Sequence, residues 1–286
     1  MIEEWLKSYN PRSDLELHNA KREIFQEIAL SGLNRAGFFE HACFYGGTAL
    51  RIFYNLDRFS EDLDFSLLEK KLDFSLADYI PYIENEFATL GLSATTRIKE
   101  KKNFSPVESA FLKDNTNWFQ LDIGFTNNSQ KKIKIKIEVD RDPPLNFKTE
   151  SKLLVKPYTQ YINCMIKDHL FAGKMHAVLF RAWVNNEKGR DWYDLVWYIK
   201  MGSCLGLQHF NARAQQSGHL IDGNFFKEKS LKEALHNRIE KMNLEMAVKD
   251  IARFVYDKRE IDIWSKDYFH QLTDHLVVKD VKYTSS

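Results

Sequence analysis

The chain has 286 residues, 44% hydrophobic and 28% charged, which is ordinary globular composition with enough length to bury one large core or two modest ones. Its 41 Lys and Arg stand against 40 Asp and Glu, a formal charge of +1, which excludes a surface that is basic throughout and leaves only a local patch for nucleic acid. The opening MIEEWLKSYN lacks the apolar h-region of a signal peptide, no apolar run reaches the roughly 18 residues that span a bilayer, and Cys43, Cys164 and Cys204 are isolated, so a cytoplasmic protein with packed, reduced thiols is expected.

From the N-terminus, Leu17, Ile24, Ile28 and Leu33 fall at near-helical spacing and predict an amphipathic helix over residues 14–33. A short apolar stretch, 42–45, runs into Gly46-Gly47, and residues 48–55 then read as a helix with Thr48 as candidate N-cap. Residues 62–66 alternate polar and apolar as a strand does, and 77–92 read as a helix. Residues 118–125 alternate, with Phe119, Leu121, Ile123 and Phe125 on one face. Residues 132–140 alternate more strictly: Ile133, Ile135, Ile137 and Val139 face one way, Lys132, Lys134, Lys136, Glu138 and Asp140 the other. The turn-like TNNSQ between these two strands predicts a hairpin. Beyond Pro157 the pattern becomes helical, over 162–183, 190–200, 231–254 and a C-terminal segment. The expected organisation is α+β: residues 1–150 form a small mixed sheet with helices and 151–286 a mainly helical lobe, with the boundary between Pro143 and Pro157.

Asp62-Leu63-Asp64 carries little weight alone, because 40 acids in 286 residues give an acid-x-acid triplet roughly 6 times by chance. Its setting gives it weight. Two residues apart on a strand, both carboxylates leave by one face with Cα atoms about 6–7 Å apart, while Leu63 and Phe65 face the core. Like charges that close call for a cation or a proton, and an oxygen-only pair suits Mg²⁺ or Mn²⁺. Upstream, glycines at a strand-to-helix turn let the backbone approach a ligand, and the N–H groups of a helix start favour phosphate, which nominates Gly46, Gly47 and Thr48. The intervening helix carries Arg51, and Arg58 and Ser60 precede the acids, so the whole forms one connected unit suited to a metal-bound nucleoside triphosphate. A phosphate added to Ser60 would bring roughly −1.5 to −2 charges beside those carboxylates and is expected to shut the site. The plainer alternative is a turn glycine pair followed by an exposed acidic strand end.

The run Tyr45-Gly-Gly-Thr-Ala-Leu-Arg51 through Arg58-Phe-Ser-Glu-Asp-Leu-Asp-Phe65 resembles the signature of the AbiEii/AbiGii toxin family, nucleotidyltransferases of the DNA polymerase β-like superfamily found in phage-defence (abortive infection) and toxin–antitoxin systems. Two-metal phosphoryl chemistry uses a third acid, which the resemblance puts on a later strand in a Lys-Ile-Glu setting. Lys136-Ile137-Glu138 fits, although Asp122 on the neighbouring strand also lies on a polar face, and Glu138 also balances Lys134 and Lys136. Lys167, Lys174 and Arg181 recur every seven residues, a basic stripe that by itself means only a wet helix face. Asp191 and Asp194, three apart at a helix start, suit dipole compensation equally well. Yet Ala172-Gly-Lys-Met-His-Ala177 to Arg181, then Arg190-Asp-Trp-Tyr-Asp-Leu195, is similar to the second signature of the same family.

Those resemblances imply a bi-lobed polymerase-β-like fold and transfer of a nucleoside monophosphate from an NTP to an acceptor hydroxyl. Asp62, Asp64 and Glu138 would hold Mg²⁺ (or Mn²⁺). Gly46, Gly47, Thr48, Arg51, Arg58, Ser60, Lys174 and Arg181 would hold the nucleotide, and an acid of the second signature, Asp194 ahead of Asp191, would complete the active site. In that family the acceptor is often the 3′ end of tRNA, and a cognate antitoxin neutralises the activity. Alternatives are a small-molecule (antibiotic-type) nucleotidyltransferase, a catalytically dead nucleotide-binding module, and a hydrolase or kinase built on the same metal site.

Overall fold

The structure, a computed structural model, describes residues 1–98, 116–125, 132–144, 147–181, 187–220 and 224–279. The chain divides into two compact units, the first made of Met1–Asn55, Phe59–Pro143 and Thr149–Cys164, the second of Leu56–Arg58, Pro144–Lys148 and Met165–Ser286.

The first unit is a mixed sheet with helices: α1 (Ile2–Tyr9), α2 (Asp14–Arg35), β1 (Ala42–Tyr45), α3 (Gly46–Tyr54), β2 (Leu63–Leu67), α4 (Ile80–Thr89), β3 (Leu92–Ile98), β4 (Thr116–Phe125), β5 (Ile133–Asp140), β6 (Thr149–Leu154) and β7 (Gln160–Met165). The seven strands lie in the order β3-β4-β5-β2-β1-β7-β6. Strand β2 is antiparallel to β1 and parallel to β5, so it sits in the middle of the sheet. The period-2 pattern explains the burial: Ile133, Ile135, Ile137 and Val139 of β5 and Phe119, Leu121 and Ile123 of β4 all enter the core. Helix α2 starts where Ser13 accepts a hydrogen bond from the Glu16 N–H, with Asp14 and Glu16 at its positive end. It packs on α4 through Phe25 and Phe87, edge to face at 5.8 Å.

The second unit is mainly helical: α5 (Lys167–Phe180), α6 (Gly189–Lys200), β8 (Cys204–Gly206), α7 (Leu207–Gln216), α8 (Glu228–Lys241), α9 (Leu244–Ile251), α10 (Arg259–Asp262), α11 (Lys266–Asp274) and β9 (Val277–Lys279), with β8 and β9 paired in parallel. Gly189 opens α6 at a point where a methyl group would collide with the Ala247 carbonyl, so α6 and α9 approach at a distance only glycine allows. Trp192, Tyr198, Phe171, Phe210 and Phe269 fill the interior.

The acid strand starts at Leu63, which leaves Asp62 just ahead of it, and three other expected elements differ. The helix read over 162–183 is a strand to Met165 and a helix only from Lys167; a short apolar run suits either state, and pairing of Cys164 with Phe44 of β1 decides for the strand. Trp183 and the TNNSQ turn lie outside the described residues, while β4 and β5 do pair antiparallel. The helix read over 231–254 is two, because Asn243 caps a new start by accepting from the Met246 N–H. Finally, α3 begins at Gly46, so Thr48 is not its N-cap. Cys43 and Cys164 are buried thiols and Cys204 is half-buried. Among the described residues no helix is long and apolar enough to cross a membrane.

Candidate active site

In the first unit the acid strand has a defined neighbour. The parallel register sets Asp64 of β2 beside Glu138 of β5, with Leu63 beside Ile137 and Phe65 beside Val139. Paired residues on adjacent strands share a face, about 4.8 Å apart across the ladder. Asp122 is elsewhere: its partner on β5 is Lys134, whereas that of Glu138 is Trp118. The register therefore brings Glu138, and not Asp122, to Asp64. Lys136 Nζ lies 2.7 Å from Glu138 Oε1, so the same strand already offers that carboxylate a counter-charge.

The glycine turn backs onto the same carboxylate. Gly46 has φ +83°, a left-handed conformation, and a methyl group added to it would strike the Asp64 carboxylate, with Asp64 Cβ and Cγ only 3.1 Å away. The first turn of α3 is thus pressed against the acid strand, and the cap residue Tyr45 supplies it no side-chain hydrogen bond. Gly47 is in that turn. Thr48, expected on phosphate, is fully buried and donates its hydroxyl to the Asp62 carbonyl. Arg51 pairs with Glu23 at 2.8 Å and lies over the Phe59 ring.

A divalent cation fits this donor set in its chemistry: Asp62, Asp64 and Glu138 are hard oxygen ligands, and Gly46 leaves the space beside Asp64 that a side chain would fill. The three are not drawn into a closed cage; among the described residues no group of three or more His, Cys, Asp or Glu stands ready to enclose a metal ion. A cation bound by two or three carboxylates would keep waters or substrate oxygens in its remaining positions, as Mg²⁺ commonly does.

The second unit gathers the other sequence-predicted residues into one ion-pair cluster. Arg58 is buried and grips Asp194 with two parallel bonds, 2.6 and 2.7 Å. Lys174 Nζ lies 2.6 Å from Asp191 and 2.9 Å from Asp194. Arg181, just past the end of α5, approaches Asp191 at 3.6 Å and is more than half exposed. Burial alone would raise the Asp191 carboxyl, but the Lys174 and Arg181 charges hold it down at about 2. Burial likewise works against the Arg58 charge, and Asp194 overrides it, so its pKa moves up. Arg58 and Asp194 are therefore matched to each other, and Asp194 is fully buried. His176, off the Lys174 face, is half-buried, meets Ser217 at 2.8 Å and packs against the rings of Phe180 and Phe210.

Residues 28–269 match the family described as Nucleotidyl transferase AbiEii toxin, Type IV TA system. The chain belongs to that family. No curated protein sequence matches it significantly. Among solved structures it is similar to JHP933 from Helicobacter pylori, with 16% identity over 90% of both chains and a TM-score of 0.54. It is also similar to MenT4, a nucleotidyltransferase toxin from Mycobacterium tuberculosis, with 13% identity over 99% of this chain and 89% of that one, and a TM-score of 0.54. The AbiEii chain thus has the polymerase-β-like nucleotidyltransferase fold, a mixed sheet with many helices.

The helix α2 was expected from the sequence, but its hold on the acid segment was not. Gln26 is buried and its Nε2 donates to the carbonyls of Ser60 (3.2 Å) and Glu61 (2.9 Å), and Arg22 pairs with the Glu61 side chain at 3.2 Å. The only signal was the four-residue spacing of His18, Arg22 and Gln26 along a predicted helix.

Proposed function

We propose that this AbiEii-family chain transfers a nucleoside monophosphate from an NTP to an acceptor hydroxyl, with release of pyrophosphate. The observation that supports it best is local to the first unit: Gly46 opens a helix directly against Asp64, and Glu138 stands in register beside that same residue. A phosphate-binding backbone turn and a carboxylate face thereby share one spot. Asp62, Asp64 and Glu138 are the residues that would hold Mg²⁺ or Mn²⁺. When bound, such a cation supplies Lewis-acid polarisation of phosphate oxygens and neutralises their charge. Glu138 would take the proton of the acceptor hydroxyl once Lys136 releases it.

The amides of Gly46 and Gly47 bind phosphate oxygens, Thr48 orients the acid segment from behind, and Ser60 lies in that segment. Arg51 steadies α3 through Glu23. In the helical lobe, assigned from the sequence to residues 151–286, Lys174, Asp191 and Arg181 are the cluster members that serve the nucleotide. Asp194, ranked first in the sequence reading, and Arg58 are reassigned to holding Lys174 in place. The acceptor is the 3′ end of a tRNA and the setting is the cytoplasm, where a cognate antitoxin restrains the activity in phage defence.

Purified protein is incubated with each labelled NTP and Mg²⁺, with total RNA in one set and total protein in the other. Label in the tRNA fraction is expected, and Asp64→Asn should reduce it by at least 10²–10³-fold, the order of loss for one electrostatic stabiliser. Label in protein, in small molecules or nowhere rejects the tRNA acceptor, and an Asp64→Asn enzyme that keeps near-full activity rejects the site.

A further inference from the structure

Residues 59–62, the approach to the acid strand, belong to no helix or strand, so nothing in the sheet ladder fixes them. Their carbonyls are nonetheless caught one after another. Gln26 of α2 donates to Ser60 O and Glu61 O, and Thr48 of α3 donates to Asp62 O. Both donors are essentially inaccessible, with 1% and 0% of their surface exposed. Only the NH₂ of a glutamine amide can face two carbonyl oxygens, so the orientation of Gln26 is set by what it holds. On the same stripe of α2, one turn earlier, Arg22 binds the Glu61 carboxylate at 3.2 Å and is itself braced 3.0 Å from the His18 ring. Glu61 is thereby tied to α2, one residue before Asp62.

We propose that Gln26 and Thr48 are positioning residues for nucleotidyl transfer: by gripping three consecutive carbonyls they fix where Asp62 stands and where Asp64 enters the strand. The proposal rests on the transfer reading given above. Its physical content is pre-organisation, since a displacement of about 1 Å in a reacting group costs up to roughly 10²-fold in rate. It also gives α2 a place in the function.

The test uses Gln26→Leu and Thr48→Val, each close in shape to the native side chain but unable to donate. Asn34→Leu, on the same helix as Gln26, is the control, since it removes a hydrogen bond to Gln160 of β7 (2.9 Å) away from the acid segment. Three quantities are measured: Tm, Mn²⁺ binding to the nucleotide-free protein by electron paramagnetic resonance, and kcat and KM for transfer. Gln26→Leu and Thr48→Val are expected to weaken Mn²⁺ binding by about tenfold and lower kcat by on the order of 10- to 100-fold, with KM for NTP nearly unchanged. Asn34→Leu is expected to lower Tm alone. Folded Gln26→Leu and Thr48→Val proteins that bind Mn²⁺ and turn over like wild type overturn the proposal. So does an Asn34→Leu protein that loses Mn²⁺ affinity equally, because the effect is then general destabilisation. Should Gln26→Leu fail to fold, Thr48→Val decides. A wild-type protein that neither binds Mn²⁺ nor transfers overturns the transfer reading itself and the proposal with it, whereas wild-type activity lost in Asp64→Asn but kept in both variants overturns the proposal alone.

Discussion

Lys174 stands between two carboxylates, 2.6 Å from Asp191 and 2.9 Å from Asp194, and a phosphate that recruits it must compete with both. Removing it does more than weaken a ligand contact. Asp194 is fully buried and would keep Arg58 alone, while Asp191 would keep the more distant and exposed Arg181. Breaking one partner out of a buried pair costs roughly 3–5 kcal/mol, which for a chain of this size lowers Tm by on the order of 10 °C. Lys174→Ala should therefore lose both stability and NTP affinity, and Lys167→Ala, at the first turn of the same helix, should lose neither. Calorimetry with NTP titration separates the two effects. A Lys174→Ala protein as stable as wild type would show that the cluster does not hold the unit together.

At the scale of elements, α5 and α7 meet through histidines. His169 stacks on His209 at 4.9 Å, and His176 and His219 both reach Ser217. Burial depresses His169 to about 4, helped by Lys148, and His176 to about 3, helped by Arg213, His219 and Arg181. Burial also carries His209 well below its ordinary value, with the charges of Arg213, His169 and His176 adding to it, and lowers His219. Such groups stay neutral in the folded chain but take up protons once unfolded, so their contribution is fully present above about pH 6.5 and is lost as pH falls toward 4. Asp191, held at about 2, has the same sign but acts lower, between the ordinary carboxylate range and pH 2. Tm is expected to fall steadily from pH 7 to pH 4, and His209→Leu should flatten that slope; an unchanged slope would place the acid sensitivity elsewhere. These elements were only partly legible in the sequence. The alternation in β2, β4 and β5 was readable because a period of two needs no knowledge of partners. Strand β7 was not, since a run such as Tyr161-Ile-Asn-Cys164 becomes a strand only once β1 is beside it. The Arg58–Asp194 pair spans 136 positions, and the grip of Gln26 on Ser60 spans 34, so neither leaves a local pattern to read.

Over the whole molecule, the second unit takes chain from within the sequence of the first. Leu56–Arg58 and Pro144–Lys148 lie in the sequence of the first unit but belong to the second. Lys148 illustrates the debt: its carbonyl accepts from the Ile166 N–H and its own N–H donates to the His169 ring, at the first turn of α5. A fragment of residues 165–286 lacks Arg58 and leaves Asp194 buried without its two-pronged partner, while a fragment of residues 1–164 carries two segments with nowhere to dock. Expressed apart, neither should melt cooperatively; a sharp transition in either fragment would refute this. The consequence reaches the gene. A protein whose second part draws segments from within the first has few half-functional alleles of the truncated kind. If its expression arrests growth, escape should come as readily from a stop codon within the second unit as from one within the first, and frameshifts selected in survivors should scatter along the gene rather than gather over the acid strand.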